Sequence, residues 1–172
     1  MPIEGNVSIQ AASTDVRLES STGGTKFQFT FEALRPGLFR TTFTSPVHPL
    51  PPHPSTALPA QDLGGLNPSS NSTATSKTIV LGDVSATVEW DDCPIVTLQL
   101  ADQQKPIHRD LEFRSYVVDS MGIAHYTRYK RDTLHVGLGE KAAPMNLSNR
   151  GFILSATDCF GYGESLIPIL PG

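Results

Sequence analysis

The sequence predicts an all-β protein, an antiparallel β-sandwich. Short apolar runs with period-two alternation recur along the 172 residues, and no window of helical length carries an apolar stripe of period 3.6. Gly and Pro, 14 of each, supply frequent turns between these runs. Because many short strands separated by turns are typical of sandwiches, we expect one β-sandwich domain over residues 1–172.

The strongest strand signal is Thr25–Leu34, where three phenylalanines alternate with polar residues. Arg35–Gly37 is a turn, and Leu38–Thr44 is a second strand, so the two strands are expected to form a hairpin. Further strands are predicted at Asp15–Ser20, Lys77–Leu81, Val84–Trp90, Ile95–Leu100, Ile107–Val118, Ile123–Tyr129, Leu134–Gly137 and Phe152–Ser155.

The stretch Ser45–Ser76 differs from the rest of the chain. Its first half is rich in proline, which cannot join a strand ladder and favours extended backbone. Its second half turns to Gly, Ser, Thr and Asn. We expect a Pro/Ser-rich surface loop over residues 45–76, outside the core of the sandwich.

Charge and hydropathy argue against two classes of partner. The net charge is −4, and no basic cluster is longer than Arg128–Arg131, so no nucleic-acid partner is predicted. No run approaches the ~20 apolar residues that cross a bilayer, so no membrane partner is predicted.

Met1–Asn6 has no secretory signal, and we expect a cytoplasmic protein. Three glycosylation sequons are accordingly interpreted as chance matches, at Asn6, Asn71 and Asn146.

The sequence predicts neither a cofactor site nor a metal site. Gly137–Ala142 matches the glycine pattern of dinucleotide-binding folds, but Pro144 would interrupt the helix that this pattern needs. We interpret it as a glycine turn and predict no cofactor. The two cysteines, Cys93 and Cys159, have no metal-ligand spacing, and no metal site is predicted.

Acidic residues offer one candidate for acid/base chemistry. His108 or His125 with Glu112 would make a sugar epimerase-like pair, with Asp110 on the same strand face. The alternative is a polar, solvent-facing side of an antiparallel strand. No two carboxylates can be placed as the facing pair that glycoside hydrolysis needs, so no catalytic residue is predicted.

Several segments together resemble a known family. They are Ala124–Lys130, His135–Lys141 and Leu154–Tyr162, accompanied by Leu38–Phe43 and the proline-rich His48–Pro54. This combination is similar to the N-terminal domain of glycoside hydrolase family 31, the α-glucosidases and α-xylosidases, and most of all to fungal members. The resemblance covers about residues 34–162.

That resemblance implies a galactose-mutarotase-like sandwich that precedes a (β/α)8 barrel. The barrel of such enzymes carries both catalytic aspartates, so this chain by itself is expected to be inactive. A loop of the N-terminal domain contacts the sugar in this family, and the matching substrate-binding residue here is Asp158, with Thr157 beside it. The implied partners are the barrel and an α-linked oligosaccharide or glucoside.

The resemblance ends after Tyr162. Family members continue with an Asp-Pro-Leu-Tyr-like segment and closing strands, whereas Gly163–Gly172 is an atypical tail. We therefore expect a member truncated before its barrel, whose sandwich lacks its last strands and exposes an edge. Two alternatives are open: a stand-alone carbohydrate-binding or interaction module, and a small mutarotase-type enzyme that uses Glu112.

Overall fold

The structure is a computed structural model that describes residues 15–20, 26–50, 61–91, 93–130, 133–137 and 144–152. The described residues form ten strands and no helix, so they contain no helix able to cross a membrane. The chain divides into two compact units, Met1–Arg128 and Tyr129–Gly172, and the ten strands all lie in the first.

One sheet is three-stranded and antiparallel, with β1 (Asp15–Ser20), β2 (Phe27–Arg35) and β3 (Leu38–Thr44) in chain order. Strands β2 and β3 form the predicted hairpin, and Gly37 closes it with a φ of +72°, in the left-handed region that glycine adopts at low cost. Side-chain burial alternates along β2, as its sequence pattern predicts.

A second, five-stranded sheet is also antiparallel and follows chain order, and a third sheet has two strands. The five strands are β4 (Ser69–Ser72), β5 (Ser76–Leu81), β6 (Val84–Glu89), β7 (Ile95–Leu100) and β8 (His108–Arg109). The two-stranded sheet pairs β9 (Tyr116–Val118) with β10 (Ile123–His125).

The core lies between the two larger sheets, because apolar side chains from both contribute to one buried cluster. Strands β1 and β2 supply four residues, and the β5–β7 region of the other sheet supplies five. Burying one face of each sheet against the other is the arrangement of a β-sandwich, which confirms the predicted fold class. The cluster comprises Val16, Leu18, Phe29, Phe31, Ile79, Ala86, Val88, Trp90 and Val96.

Three of the predicted strands are wrong in extent or existence. Ile123–Tyr129 is shorter than predicted, because β10 ends at His125 and only Thr127 beyond it forms an isolated bridge. Ile107–Val118 is not one strand, because the chain leaves the ladder after Asp110 and turns at Phe113, whose φ of +69° is incompatible with extended backbone. Leu134–Gly137 is not a strand either, and Leu134 and Val136 are largely exposed. A short apolar run becomes a strand only where another strand pairs with it.

Other expectations meet the structure in part. Ser69–Ser72, inside the predicted loop 45–76, forms β4 and pairs with β5. Beyond Phe152, the predicted strand Phe152–Ser155 and the tail Gly163–Gly172 lie outside the described residues.

Candidate functional site: a histidine–aspartate cluster

Asp110 is the centre of a polar cluster at the end of the five-stranded sheet. It follows β8 directly, and its backbone N–H donates to the Val96 carbonyl oxygen on β7 at 2.9 Å. The Val96 N–H in turn donates to Asp110 Oδ2 at 2.9 Å, so the backbone and the side chain of Asp110 are both hydrogen-bonded to Val96. The carboxylate is fully buried as a result.

Two imidazoles share the other oxygen of this carboxylate. His108 Nε2 lies 2.9 Å and His125 Nε2 2.8 Å from Asp110 Oδ1. Burial favours the neutral acid, yet the hydrogen bonds on both oxygens outweigh burial and hold the pKa of Asp110 below its ordinary value. Because the ionised carboxylate can only accept, Nε2 of each imidazole carries the proton and donates it.

Strand pairing explains why His125 reaches Asp110. Asp110 and Thr127 form an isolated antiparallel bridge, and the Leu111 and Arg128 N–H groups donate to carbonyl oxygens on the opposite segment on either side of it. This pairing places the end of β10 beside Asp110. The two histidines are 17 residues apart in the sequence, by the numbers 108 and 125, and meet only through this pairing.

An aromatic stack supports the second imidazole. The Tyr116 ring lies between Phe43 and His125, with centroid distances of 4.4 and 4.5 Å and nearly parallel planes. Tyr116 and His125 are cross-strand partners in the β9–β10 pair, so the strand register sets this contact. Burial, and then the charge of Asp110, raises the pKa of the Tyr116 hydroxyl well above its ordinary value.

Glu112 does not pair with either histidine. Its Oε1 accepts from Arg109 at 3.0 Å and from Arg128 at 2.6 Å. The acid/base pair of a histidine with Glu112 is therefore not formed, and Asp110 takes the place expected of Glu112. The solvent-facing alternative also fails for Asp110, since two imidazoles and a backbone amide surround it.

The arrangement orients two imidazoles and leaves both side chains partly exposed. The side chains of His108 and His125 are 34% and 39% exposed, and neither Nδ1 has a hydrogen bond within the described part of the chain. Because Nε2 of each imidazole is engaged with Asp110, Nδ1 is the ring nitrogen that is left to contact a ligand. No group of three metal-ligating side chains occurs within the described residues.

The sugar-contact residues expected from the sequence, Asp158 and Thr157, lie outside the described residues. Sequence reasoning noted the histidines but missed the role of Asp110. The only local signal was the His-x-Asp spacing at His108 and Asp110, which puts both side chains on one face of a strand. The partner from β10 has no local signal.

Comparison with known proteins identifies the family. The model of the glycosyl hydrolase 31 N-terminal galactose mutarotase-like domain matches residues 28–169. No curated protein and no solved structure matches the chain. The match covers most of the sequence and agrees with the all-β sandwich described above. The chain therefore belongs to the family of glycosyl hydrolase 31 N-terminal galactose mutarotase-like domains.

Proposed function

We propose that this chain is the N-terminal domain of an α-glucosidase-like hydrolase and contributes to carbohydrate binding at the rim of a catalytic barrel. The observation that carries the proposal is the family match over residues 28–169, which includes Thr157 and Asp158. Membership in this family implies an enzyme with a catalytic domain and a carbohydrate substrate. The substrate class we propose is an α-linked oligosaccharide or glucoside.

Asp158 is the residue to which we assign the sugar contact. The motif Leu154–Tyr162 carries the family resemblance, and the aspartate in that motif contacts the sugar in the enzymes it resembles. A carboxylate accepts hydrogen bonds from sugar hydroxyls, and these charge-assisted bonds are stronger than neutral ones. Phe160 and Tyr162 follow closely and offer rings for the apolar face of a sugar.

The test of this contact is Asp158→Asn, made at the matching position of a complete family member. Loss of a charge-assisted hydrogen bond should weaken transition-state binding by about 1–3 kcal/mol. In kinetic terms kcat/KM should fall about 5- to 150-fold, with Tm unchanged. A matched control is asparagine at the position of Asp102, an exposed turn residue, which should change neither quantity. Full catalytic efficiency of the first variant, or its failure to fold, would make Asp158 a turn residue.

The chain by itself should not hydrolyse an aryl α-glucoside. The two carboxylates that follow His108 on the chain are both engaged, Asp110 with two imidazoles and Glu112 with two guanidinium groups. Hydrolysis with retention needs two carboxyl groups that face each other across a glycosidic bond. The measurement is release of the aryl alcohol against a buffer blank. Turnover that survives repeated purification would contradict the proposal.

A small mutarotase-type enzyme is a second candidate, and one observation favours it. His108 and His125 are oriented by a buried carboxylate and their side chains are partly exposed, which suits proton exchange at a sugar hydroxyl. If this hypothesis is correct, the chain accelerates the interconversion of the anomers of a free sugar, which is measured by polarimetry. His125→Gln should remove that acceleration, while Glu112→Gln should retain it. An interconversion rate equal to that of buffer would eliminate this candidate.

A further inference from the structure

Two of the three Asn-x-Ser/Thr motifs have asparagines in the described part of the chain, Asn71 and Asn146, and both asparagines are exposed. Asn6 lies outside the described residues. We propose that Asn71 is a site of N-linked glycosylation, modified by an oligosaccharide transferred from a lipid pyrophosphate carrier.

The position of Asn71 in the fold leaves room for a glycan. It lies in β4, the outermost strand of the five-stranded sheet, opposite Thr78 of β5. All four residues of Ser69–Ser72 are exposed. Because successive side chains of a strand point to opposite faces, exposure of all four means that neither face of β4 is covered. A glycan on Asn71 therefore displaces no core residue.

The rest of the motif is also accessible and ordered. Thr73, the hydroxyl residue of the motif, is exposed and begins the turn between β4 and β5. Its Oγ1 lies 2.8 Å from Ser76 Oγ and accepts from the Thr75 N–H at 3.3 Å. These contacts hold the hairpin on the side of Thr73 away from Asn71, so a glycan on Asn71 leaves them intact.

Asn146 differs from Asn71 in one respect that decides between them. Its Oδ1 accepts from the Ser148 N–H at 3.0 Å and from the Ser148 hydroxyl at 2.6 Å, so its carboxamide stabilises a turn. Asn71 has no hydrogen bond of this kind in the described part of the chain. Modification at Asn71 therefore breaks no side-chain hydrogen bond among the residues that the structure describes.

The reaction forms a C–N bond and breaks two bonds, the C–O bond to the pyrophosphate and one N–H bond whose proton passes to solvent. Asn71 Nδ2 attacks the anomeric carbon of the oligosaccharide, loses one proton, and the lipid pyrophosphate departs with the electron pair of the broken bond. A bulky polar group then lies on β4, the outermost strand of the five-stranded sheet among the described residues, where it hinders pairing with another chain. Such a reaction requires entry into a secretory compartment, which contradicts the cytoplasmic location expected from the sequence.

The experiment is peptide mapping of the gene product isolated from its own organism, before and after treatment with peptide N-glycosidase. We expect a glycan on the peptide that contains Asn71, and conversion of Asn71 to aspartate on enzymatic release. Asn71→Gln and Thr73→Ala should each abolish this glycan. The matched control is Ser72→Ala, which keeps the motif and should keep the glycan.

Three results would overturn the proposal: an unmodified Asn71 peptide in the isolated protein, a glycan on Asn146 without one on Asn71, or a glycan that persists in Thr73→Ala. The Asn71→Gln variant should fold normally because its side chain is exposed. Mass analysis of the Ser72→Ala protein supplies the control. If this variant keeps the glycan, its loss from Asn71→Gln and Thr73→Ala is caused by the change in the motif and not by a change in β4 in general.

Discussion

Replacing Asp110 by asparagine should lower the free energy of unfolding by about 1–3 kcal/mol. The variant keeps one acceptor oxygen and places an NH2 group at the other position, so it cannot accept from all three present donors. The Val96 N–H is in the buried backbone and has no access to water, so we expect it to keep the oxygen. The loss then falls on the bonds from His108 and His125.

The magnitude follows from how exposed those two bonds are. A hydrogen bond to a charged group contributes about 1.5–3 kcal/mol when it is protected from solvent. Both imidazoles are more than a third exposed and can find water, which reduces each contribution well below that range. Reprotonation of an imidazole at Nδ1 would also let its Nε2 accept from the new NH2 group, which limits the loss further.

The assay is urea unfolding followed by fluorescence of Trp90, the only tryptophan, which is 3% exposed. Asp102→Asn is the matched control, since Asp102 is an exposed turn residue and should change stability by less than about 0.5 kcal/mol. Equal stability of the Asp110→Asn and Asp102→Asn variants would refute the role assigned to the cluster.

The stability difference between the wild type and Asp110→Asn should depend on pH. Because the folded-state pKa of Asp110 is lowered, its ionised form stabilises the native state above the unfolded-state pKa of about 3.9. That contribution is lost as the pH falls through the lower folded-state pKa. The advantage of the wild type over Asp110→Asn should therefore be full near neutral pH and shrink below about pH 4. An advantage that is independent of pH would contradict this account.

Two buried positions and one exposed position give further predictions, all measured by urea unfolding. Burial lowers the pKa of Lys77, so this side chain binds its proton more tightly in the unfolded chain than in the folded one. The stability of the wild type relative to Lys77→Met should therefore increase as the pH rises toward about 10.4, the unfolded-state pKa. A stability difference that does not change with pH would contradict this. Phe113→Gly should leave stability unchanged or raise it by up to about 1 kcal/mol, because Phe113 is 79% exposed with a positive φ. Phe29→Ala, in the core, should cost about 3–5 kcal/mol, and equal effects at both phenylalanines would refute their assignment.

Local patterns in the sequence predicted much of the sandwich. The alternation at Phe27, Phe29 and Phe31 predicts β2, and the turn Arg35–Gly37 predicts its hairpin with β3, as the structure has them. Both signals depend only on the geometry of neighbouring residues. They were insufficient at Leu134–Gly137, which has the composition of a strand but does not form one in the structure.

The candidate site could be predicted only in pieces. His108, Glu112 and His125 stood out by residue type, and the sequence pattern offered Glu112 as their acid. The structure assigns that carboxylate role to Asp110 and holds Glu112 between two arginines. The spacing could not distinguish Asp110 from Glu112, because the two residues are separated by two positions and share one face of the predicted strand.

What the sequence determined by itself is the all-β class, the main hairpin and the family, because strand periodicity and short motifs are properties of contiguous residues. Only the tertiary structure decided that Asp110 is buried. A carboxylate tolerates burial when donors converge on it, and the donors here come from β7, β8 and β10. Their convergence depends on strand order and register across the domain, which are set by how the two sheets bury their apolar faces.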